Sequence, residues 1–132
     1  MINYNNKTFV TIRNSECGDT TEETIFHYKQ SGSHVSATYK GGGIKSGFVE
    51  ASADHLGNLQ MQYYHTNCKN ELITGICSST PKILPNGKIQ ITEHWQWTCK
   101  NFAKGTSILE EIDIESKEEK RNKKTKLATY LI

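Results

Sequence analysis

One acidic residue, Glu93, stands among large apolar residues in the segment 88–98. Apolar and polar residues alternate along this segment, which is the pattern of a β-strand with one buried face and one solvated face. Glu93 falls on the apolar face, which it shares with Ile89, Ile91, Trp95 and Trp97. A buried carboxylate is costly unless it is paired, hydrogen-bonded or protonated. We therefore predict that Glu93 has polar partners inside the fold, and we take it as the first candidate for chemistry.

The turns on either side of segment 72–83 predict which residues surround Glu93. We expect three-residue hairpin loops at Pro85-Asn86-Gly87 and at Lys69-Asn70-Glu71. These loops align inward-facing residues of three neighbouring strands into rows. The predicted rows are Met61–Ser79–Glu93, Tyr63–Cys77–Trp95 and His65–Gly75–Trp97. Small residues in the middle strand would leave room in front of the tryptophans, so the predicted ligand-binding residues are Tyr63, His65, Cys77, Ser79, Glu93, Trp95 and Trp97.

Three functions fit these residues. The first is a binding barrel for a small apolar or aromatic ligand, in which the tryptophans give contact area and Glu93 orients a polar group. The second, less favoured, is an enzyme in which Glu93 acts as general acid or base with His65 or Tyr63. The third is a protein-interaction module whose interior is a filled core, with Tyr63 and Ser79 hydrogen-bonded to Glu93. The sequence leaves filled core and cavity open.

Alternating segments recur along the chain and predict the fold. We expect strands at 8–13, 24–29, 35–39, 44–53, 59–65, 72–83, 88–98 and 106–114. Their connections are short and marked by glycine, and no helix is expected between them. The fold class is therefore all-β, an antiparallel up-and-down meander of about eight strands closed as a lipocalin-like barrel, because closure removes exposed strand edges. The alternative is an open or sandwiched sheet.

Length and charge divide the chain in two. Its 132 residues suit one domain, which we place at residues 1–114. Segment 115–132 carries six of the 16 basic residues and is expected to be a charged extension, helical or disordered. The body has no basic surface with interleaved aromatic residues, so we expect no nucleic-acid partner. No segment reaches the ~18 apolar residues of a membrane span, and we expect a cytoplasmic monomer or homodimer.

The cysteines at positions 17, 68, 77 and 99 form no C-x-x-C pair and have no histidine placed to complete a zinc site. They are expected to be free thiols in a reducing compartment. A glycine triplet at 41–43 precedes a strand rather than a helix, so it does not predict a phosphate site. We therefore expect no cofactor and no metal.

Four segments carry a family resemblance: TIFHYKQ at 24–30, LPNG at 84–87, EHWQWT at 93–98 and KGTSILEE at 104–111. Together they resemble a group of short, uncharacterised bacterial proteins, some of which are labelled N-acetylglutamate synthase. The resemblance spans about residues 1–114 and implies a compact β-domain. An N-acetyltransferase would need a loop and a helix N-terminus to hold the pyrophosphate of acetyl-CoA. The sequence predicts neither, so this activity is not expected.

Overall fold

The computed structural model describes residues 2–113, which form one closed barrel of eight antiparallel strands in chain order. The strands are β1 (Lys7–Asn14), β2 (Ile25–Ser31), β3 (His34–Gly41), β4 (Ile44–Ala53), β5 (Leu59–Asn67), β6 (Leu72–Ile83), β7 (Ile89–Trp97) and β8 (Lys104–Ile112). Strand β8 pairs with β1 and closes the barrel. The predicted all-β meander is confirmed, and the open or sandwiched sheet is wrong. The predicted extension at 115–132 lies outside the described residues.

Most strand positions follow the alternation in the sequence. Strands β4 and β6 have the predicted bounds, and the others differ by one or two residues at one or both ends. The predicted faces also hold, because Val49, Ala51, Met61 and Trp95 are all buried. Within residues 2–113, no helix has the length and apolar character needed to cross a membrane.

One predicted register is right and the other is wrong by two residues. Between β6 and β7, Ser79 lies opposite Glu93 as expected. Between β5 and β6, Tyr63 lies opposite Gly75 rather than Cys77. The three-residue loop starts one residue earlier than predicted, because Asn70 adopts the left-handed conformation that the last loop position needs (φ 63°). A shift of two residues leaves every side chain on its predicted face.

The loop between β5 and β6 is held by a side chain that the sequence did not single out. Asn67 N–H donates to the Glu71 carbonyl at 3.0 Å and closes the loop. The Asn67 side-chain oxygen also accepts the backbone N–H groups of Lys69 and Glu71, both at 3.0 Å. Because these bonds satisfy the loop backbone, they select the observed register over the predicted one.

The interior of the barrel has two different halves. We call the end that carries the β1–β2, β3–β4, β5–β6 and β7–β8 connections the upper end. The lower half is packed with fully buried side chains, including Tyr4, Phe9, Tyr28, Leu59, Ile91 and Leu109. The rings of Phe9 and Tyr28 meet edge to face with their centroids 4.9 Å apart. The upper half contains most of the polar interior residues, so the candidate site lies there.

Candidate functional site

A small cavity of about 50 Å³ lies in the upper half of the barrel. That volume holds a few water molecules or a chemical group of similar size. The interior is thus neither completely filled nor hollow. Six of the seven sequence-predicted site residues line this cavity: Tyr63, His65, Cys77, Glu93, Trp95 and Trp97. The seventh, Ser79, does not line it.

Glu93 lies at mid-height on β7, with its carboxyl in the cavity wall. Ser107 Oγ on β8 donates to Glu93 Oε1 at 2.8 Å, because the two residues are directly opposite in the ladder. The predicted hydrogen bonds from Ser79 and Tyr63 are not formed. Burial raises the pKa of Glu93 from its usual 4.5 to about 7, and the Ser107 hydrogen bond opposes that rise only partly.

Unsatisfied hydroxyl groups lie close to Glu93. Ser79 Oγ on β6, directly opposite Glu93, is buried and has no hydrogen-bond partner among the described residues. The same holds for the Tyr28 hydroxyl group on β2. Burial, and then the nearby Glu93 carboxylate, raise the pKa of Tyr28 well above its usual value, so this hydroxyl stays protonated.

The connection between β1 and β2, residues 15–24, lies against the cavity and is called the cover loop here. Its Asp19 Oδ2 accepts a hydrogen bond from His65 Nε2 at 2.8 Å. Thr20 accepts two hydrogen bonds from Asn14 Nδ2, at 3.1 and 2.9 Å. The Asn14 side-chain oxygen in turn accepts from Trp95 Nε1 at 3.0 Å. The loop is therefore tied to the cavity wall through side chains.

His65 joins the cover loop to the barrel interior. Its Nδ1 lies 2.8 Å from the Tyr39 hydroxyl, and its Nε2 lies 2.8 Å from Asp19. Burial lowers the pKa of His65, although Asp19 opposes this. A neutral ring that donates from Nε2 to the Asp19 carboxylate accepts the Tyr39 proton at Nδ1. Both nitrogens are thus occupied, and neither faces Glu93 as a free base.

Aromatic side chains form the rest of the cavity wall. Phe26 and Tyr39 stack with their centroids 4.7 Å apart, and the Trp95 and Trp97 rings lie 6.2 Å apart. The Tyr63 ring covers Gly75, where an added Cβ would lie 2.2 Å from the ring carbon Cζ. The space that the sequence predicted in front of the tryptophans is therefore partly filled by Tyr63.

The Cys77 thiol in the cavity wall is poorly suited to act as a nucleophile. Cys77 is buried, and that burial, followed by the nearby Glu93 carboxylate, raises the pKa of its thiol far above the usual value. A protonated thiol is a poor nucleophile. Across residues 2–113, no group of three or more His, Cys, Asp or Glu side chains is placed to hold a metal ion. Burial places the pKa of the Glu93 carboxyl group, at about 7, close to neutral pH.

A larger depression, of about 970 Å³, lies on the outer face of the barrel. It is open to solvent and bordered by outward side chains such as Glu50, Gln62 and His94. These side chains are exposed to water, so their polar groups need no ligand to satisfy them. We therefore take the interior cavity, with its buried and incompletely hydrogen-bonded polar groups, as the candidate site.

Sequence reasoning missed the cavity residues that lie outside the three paired strands. Ser107 could have been found, because it alternates with Leu109 on β8 and β8 follows β7 directly in the predicted meander. Asp19 lies in the cover loop, and Asn14 directly precedes it. The loop has no periodic pattern that would predict which way these side chains point.

Comparison with known proteins is consistent with this architecture. The family model described as avidin-like protein matches residues 2–112, which span the eight strands. No curated protein and no solved structure matches the chain. The family match and the closed eight-stranded meander both fit the lipocalin-like barrel expected from the sequence. From the extent of this match, the chain belongs to the avidin-like protein family.

Proposed function

We propose that this protein binds one small planar ligand in the upper half of the barrel, beneath the cover loop. The observation that carries the proposal is the cavity itself, in which tryptophan and tyrosine rings surround a carboxyl group with an unused oxygen. Apolar walls with a few convergent polar groups are typical of small-molecule sites. Membership of the avidin-like family supports the same function, since eight-stranded barrels of this size can hold one small ligand.

The size of the cavity adds a requirement. Pockets that enclose drug-sized ligands have volumes of roughly 300–1,000 Å³, whereas this cavity has about 50 Å³. A ligand that contains a ring therefore needs the cover loop to move outward. The side-chain bonds that tie the middle of the loop to the cavity wall include Asp19 with His65 and Asn14 with Thr20, which contribute roughly 1 kcal/mol each. Contacts with a ligand would have to offset the loss of these bonds.

The two other functions have weaker support. An acid–base enzyme would need a partner for Glu93, but both ring nitrogens of His65 are engaged by Tyr39 and Asp19. An interaction module would use exposed apolar residues, of which Tyr64 packs on Phe48 with centroids 5.9 Å apart on the outer face. We also propose a cytoplasmic location, which the four free thiols support.

Intrinsic fluorescence tests ligand binding directly, because Trp95 and Trp97 are the two tryptophans of the chain and both line the cavity. Biotin is the first compound to titrate, since streptavidin is an eight-stranded barrel that binds it. A panel of small heteroaromatic compounds follows. We expect at least one compound to change the emission and raise the melting temperature, because a ligand that binds only the folded state stabilises it.

Two variants separate cavity binding from surface binding. Trp95→Phe removes wall area and should weaken binding, while Trp97 still reports on the cavity. His94→Ala, which changes the neighbouring outward side chain, should leave the affinity unchanged. Native mass spectrometry of protein purified from its own cells provides a second readout. A ligand-free mass, with no compound of the panel changing the fluorescence, would refute the proposal.

A further inference from the structure

We propose that the ligand presents a planar, positively charged group rich in N–H donors, such as an amidinium or guanidinium, to the Glu93 carboxyl. This inference rests on the proposed binding function and names the chemical class of the ligand. Three features of the cavity carry it: the sign of the charges in the wall, the unused hydrogen-bond acceptors around Glu93, and the aromatic rings beside them.

The charges of the cavity favour a cation. Glu93 and Asp19 are the carboxyl groups in the wall, and no Lys or Arg is among its described lining residues. Lys100 lies beside the wall, with its Nζ 6.0 Å from the centroid of the Trp97 ring. That ammonium group is already paired with Glu71. An anionic ligand would therefore meet two carboxyl groups and no available basic side chain, which is unfavourable in a poorly solvated site.

The hydrogen bonds around Glu93 favour an N–H donor. In the described part of the chain, Oε1 accepts from Ser107 and Oε2 accepts from no group. Ser79 and Tyr28 contribute hydroxyl groups close by, both buried without a partner among the described residues, and each can accept an N–H as well as donate its own proton. The region thus contains oxygen acceptors but no N–H group directed at the free carboxylate oxygen. An amidinium or guanidinium fork supplies parallel N–H donors in the geometry that a carboxylate accepts.

The aromatic wall favours a flat cation over an ammonium ion. Tyr39, Trp95 and Trp97 all border the same space as Glu93. The faces of such rings attract cations, and the attraction strengthens when the cation is removed from water. A planar group can lie against a ring while its edge reaches the carboxylate, whereas a tetrahedral ammonium ion cannot do both equally well.

Protonation then links binding to pH. Burial raises the pKa of Glu93 to about 7. The other titratable groups that interact with Glu93 across the interior stay neutral, because burial raises the pKa values of Tyr28, Tyr39, Tyr63 and Cys77. Beyond them, His65 is bonded to Asp19, and its pKa is lowered by burial. The ionised fraction of Glu93 rises from about one in eleven at pH 6 to about ten in eleven at pH 8, so affinity for a permanent cation should rise about 10-fold.

The test uses three molecules of the same shape and different charge: benzamidinium, benzamide and benzoate. Acetamidinium, acetamide and acetate are measured alongside, because they need less movement of the cover loop. Tryptophan fluorescence and melting temperature report binding at pH 6 and pH 8. We expect each amidinium to bind at least 10-fold more tightly than its amide and its carboxylate, and to gain about 10-fold in affinity between the two pH values.

Variants and spectroscopy complete the test. Glu93→Gln should abolish the preference for the amidinium, while Glu50→Gln, which removes a carboxylate from the outer face, should keep it. If Glu93→Gln does not fold, carbon-13 NMR of the native protein gives the answer, since saturating benzamidinium should lower the pKa of Glu93 well below 7. An amide or carboxylate that binds as tightly as the amidinium, or an unchanged Glu93 pKa, overturns the ligand class but leaves barrel binding intact. Absence of binding by these compounds, by biotin and by the wider panel overturns both proposals.

Discussion

Replacing Glu93 with glutamine should make the protein more stable at pH 8 and leave its stability almost unchanged at pH 4. Glutamine has the same shape and keeps an oxygen that can accept the Ser107 hydrogen bond. It has no charge to bury, however. The variant therefore isolates the cost of ionising a carboxyl group in the barrel interior.

The magnitude follows from the pKa of Glu93, which burial raises from 4.5 to about 7. In the folded state the carboxyl group keeps its proton up to about pH 7, whereas in the unfolded chain it loses the proton above about pH 4.5. Stability contributed by the protonated group is thus fully present below pH 4.5 and is lost as pH rises towards 7. A difference of about 2.5 pKa units corresponds to about 3 kcal/mol.

Urea unfolding of native protein and variant at several values between pH 4 and pH 8 measures this difference. The free energy of unfolding of Glu93→Gln minus that of the native protein should grow by about 3 kcal/mol across the range. Glu50→Gln, on the outer face, should give a difference that changes by less than about 0.5 kcal/mol. A difference for Glu93→Gln that stays constant with pH would show that Glu93 is not a buried, protonated carboxyl group near neutrality.

Three further predictions concern packing and reactivity. Tyr28→Phe should leave the free energy of unfolding unchanged or raise it by up to about 1 kcal/mol, because the buried hydroxyl has no partner among the described residues. Gly47→Ala should lower that free energy by about 2 kcal/mol or more, since the new Cβ would lie 2.3 Å from Cζ of the tightly packed Tyr39. The Cys77 thiol should react with a thiol reagent only when the barrel unfolds, because it is buried and its pKa is raised.

Each of these predictions has a matched control. Tyr4→Phe removes a hydroxyl that donates to a backbone carbonyl at 2.6 Å, so it should cost about 1–2 kcal/mol in urea unfolding. Gly75→Ala should cost less than Gly47→Ala, because the facing Tyr63 is only partly buried and can shift, whereas Tyr39 is buried, stacks on Phe26 and is bonded to His65. The exposed Cys17 should react within the mixing period of the thiol assay. Equal costs for the two members of a variant pair, or equal rates for the two thiols, would contradict the corresponding argument.

The cover loop should limit how fast a ligand enters the barrel. Asp19 couples it to His65, and through His65 to Tyr39 in the wall. A ligand that enters from the upper end must separate the loop from the wall before it reaches Glu93. Binding should therefore have a slow component that Asp19→Asn accelerates, which stopped-flow fluorescence can measure.

The strands and their buried faces could be predicted from the sequence because side-chain alternation is a local property. Side chains along a strand point alternately to its two faces. The inward positions of β5, β6 and β7 therefore follow from the order of apolar and polar residues alone. The β6–β7 register followed as well, since Gly87 marks the left-handed position of that loop. These local signals were sufficient to bring Glu93 and the two tryptophans to one side of a barrel.

Only the tertiary structure decided what surrounds Glu93. The β5–β6 register depended on the exact loop position that Asn70 occupies, and a shift of two residues leaves the alternation unchanged. Ser107 became the partner of the carboxyl group through the pairing of β8 with β7, whose register is set across the long connection 98–103 rather than by a short turn motif. The cover loop has no periodicity, so its position over the cavity was not readable from the sequence. Alternation determines which way a side chain points, and only the arrangement of neighbouring strands and loops determines what it meets there.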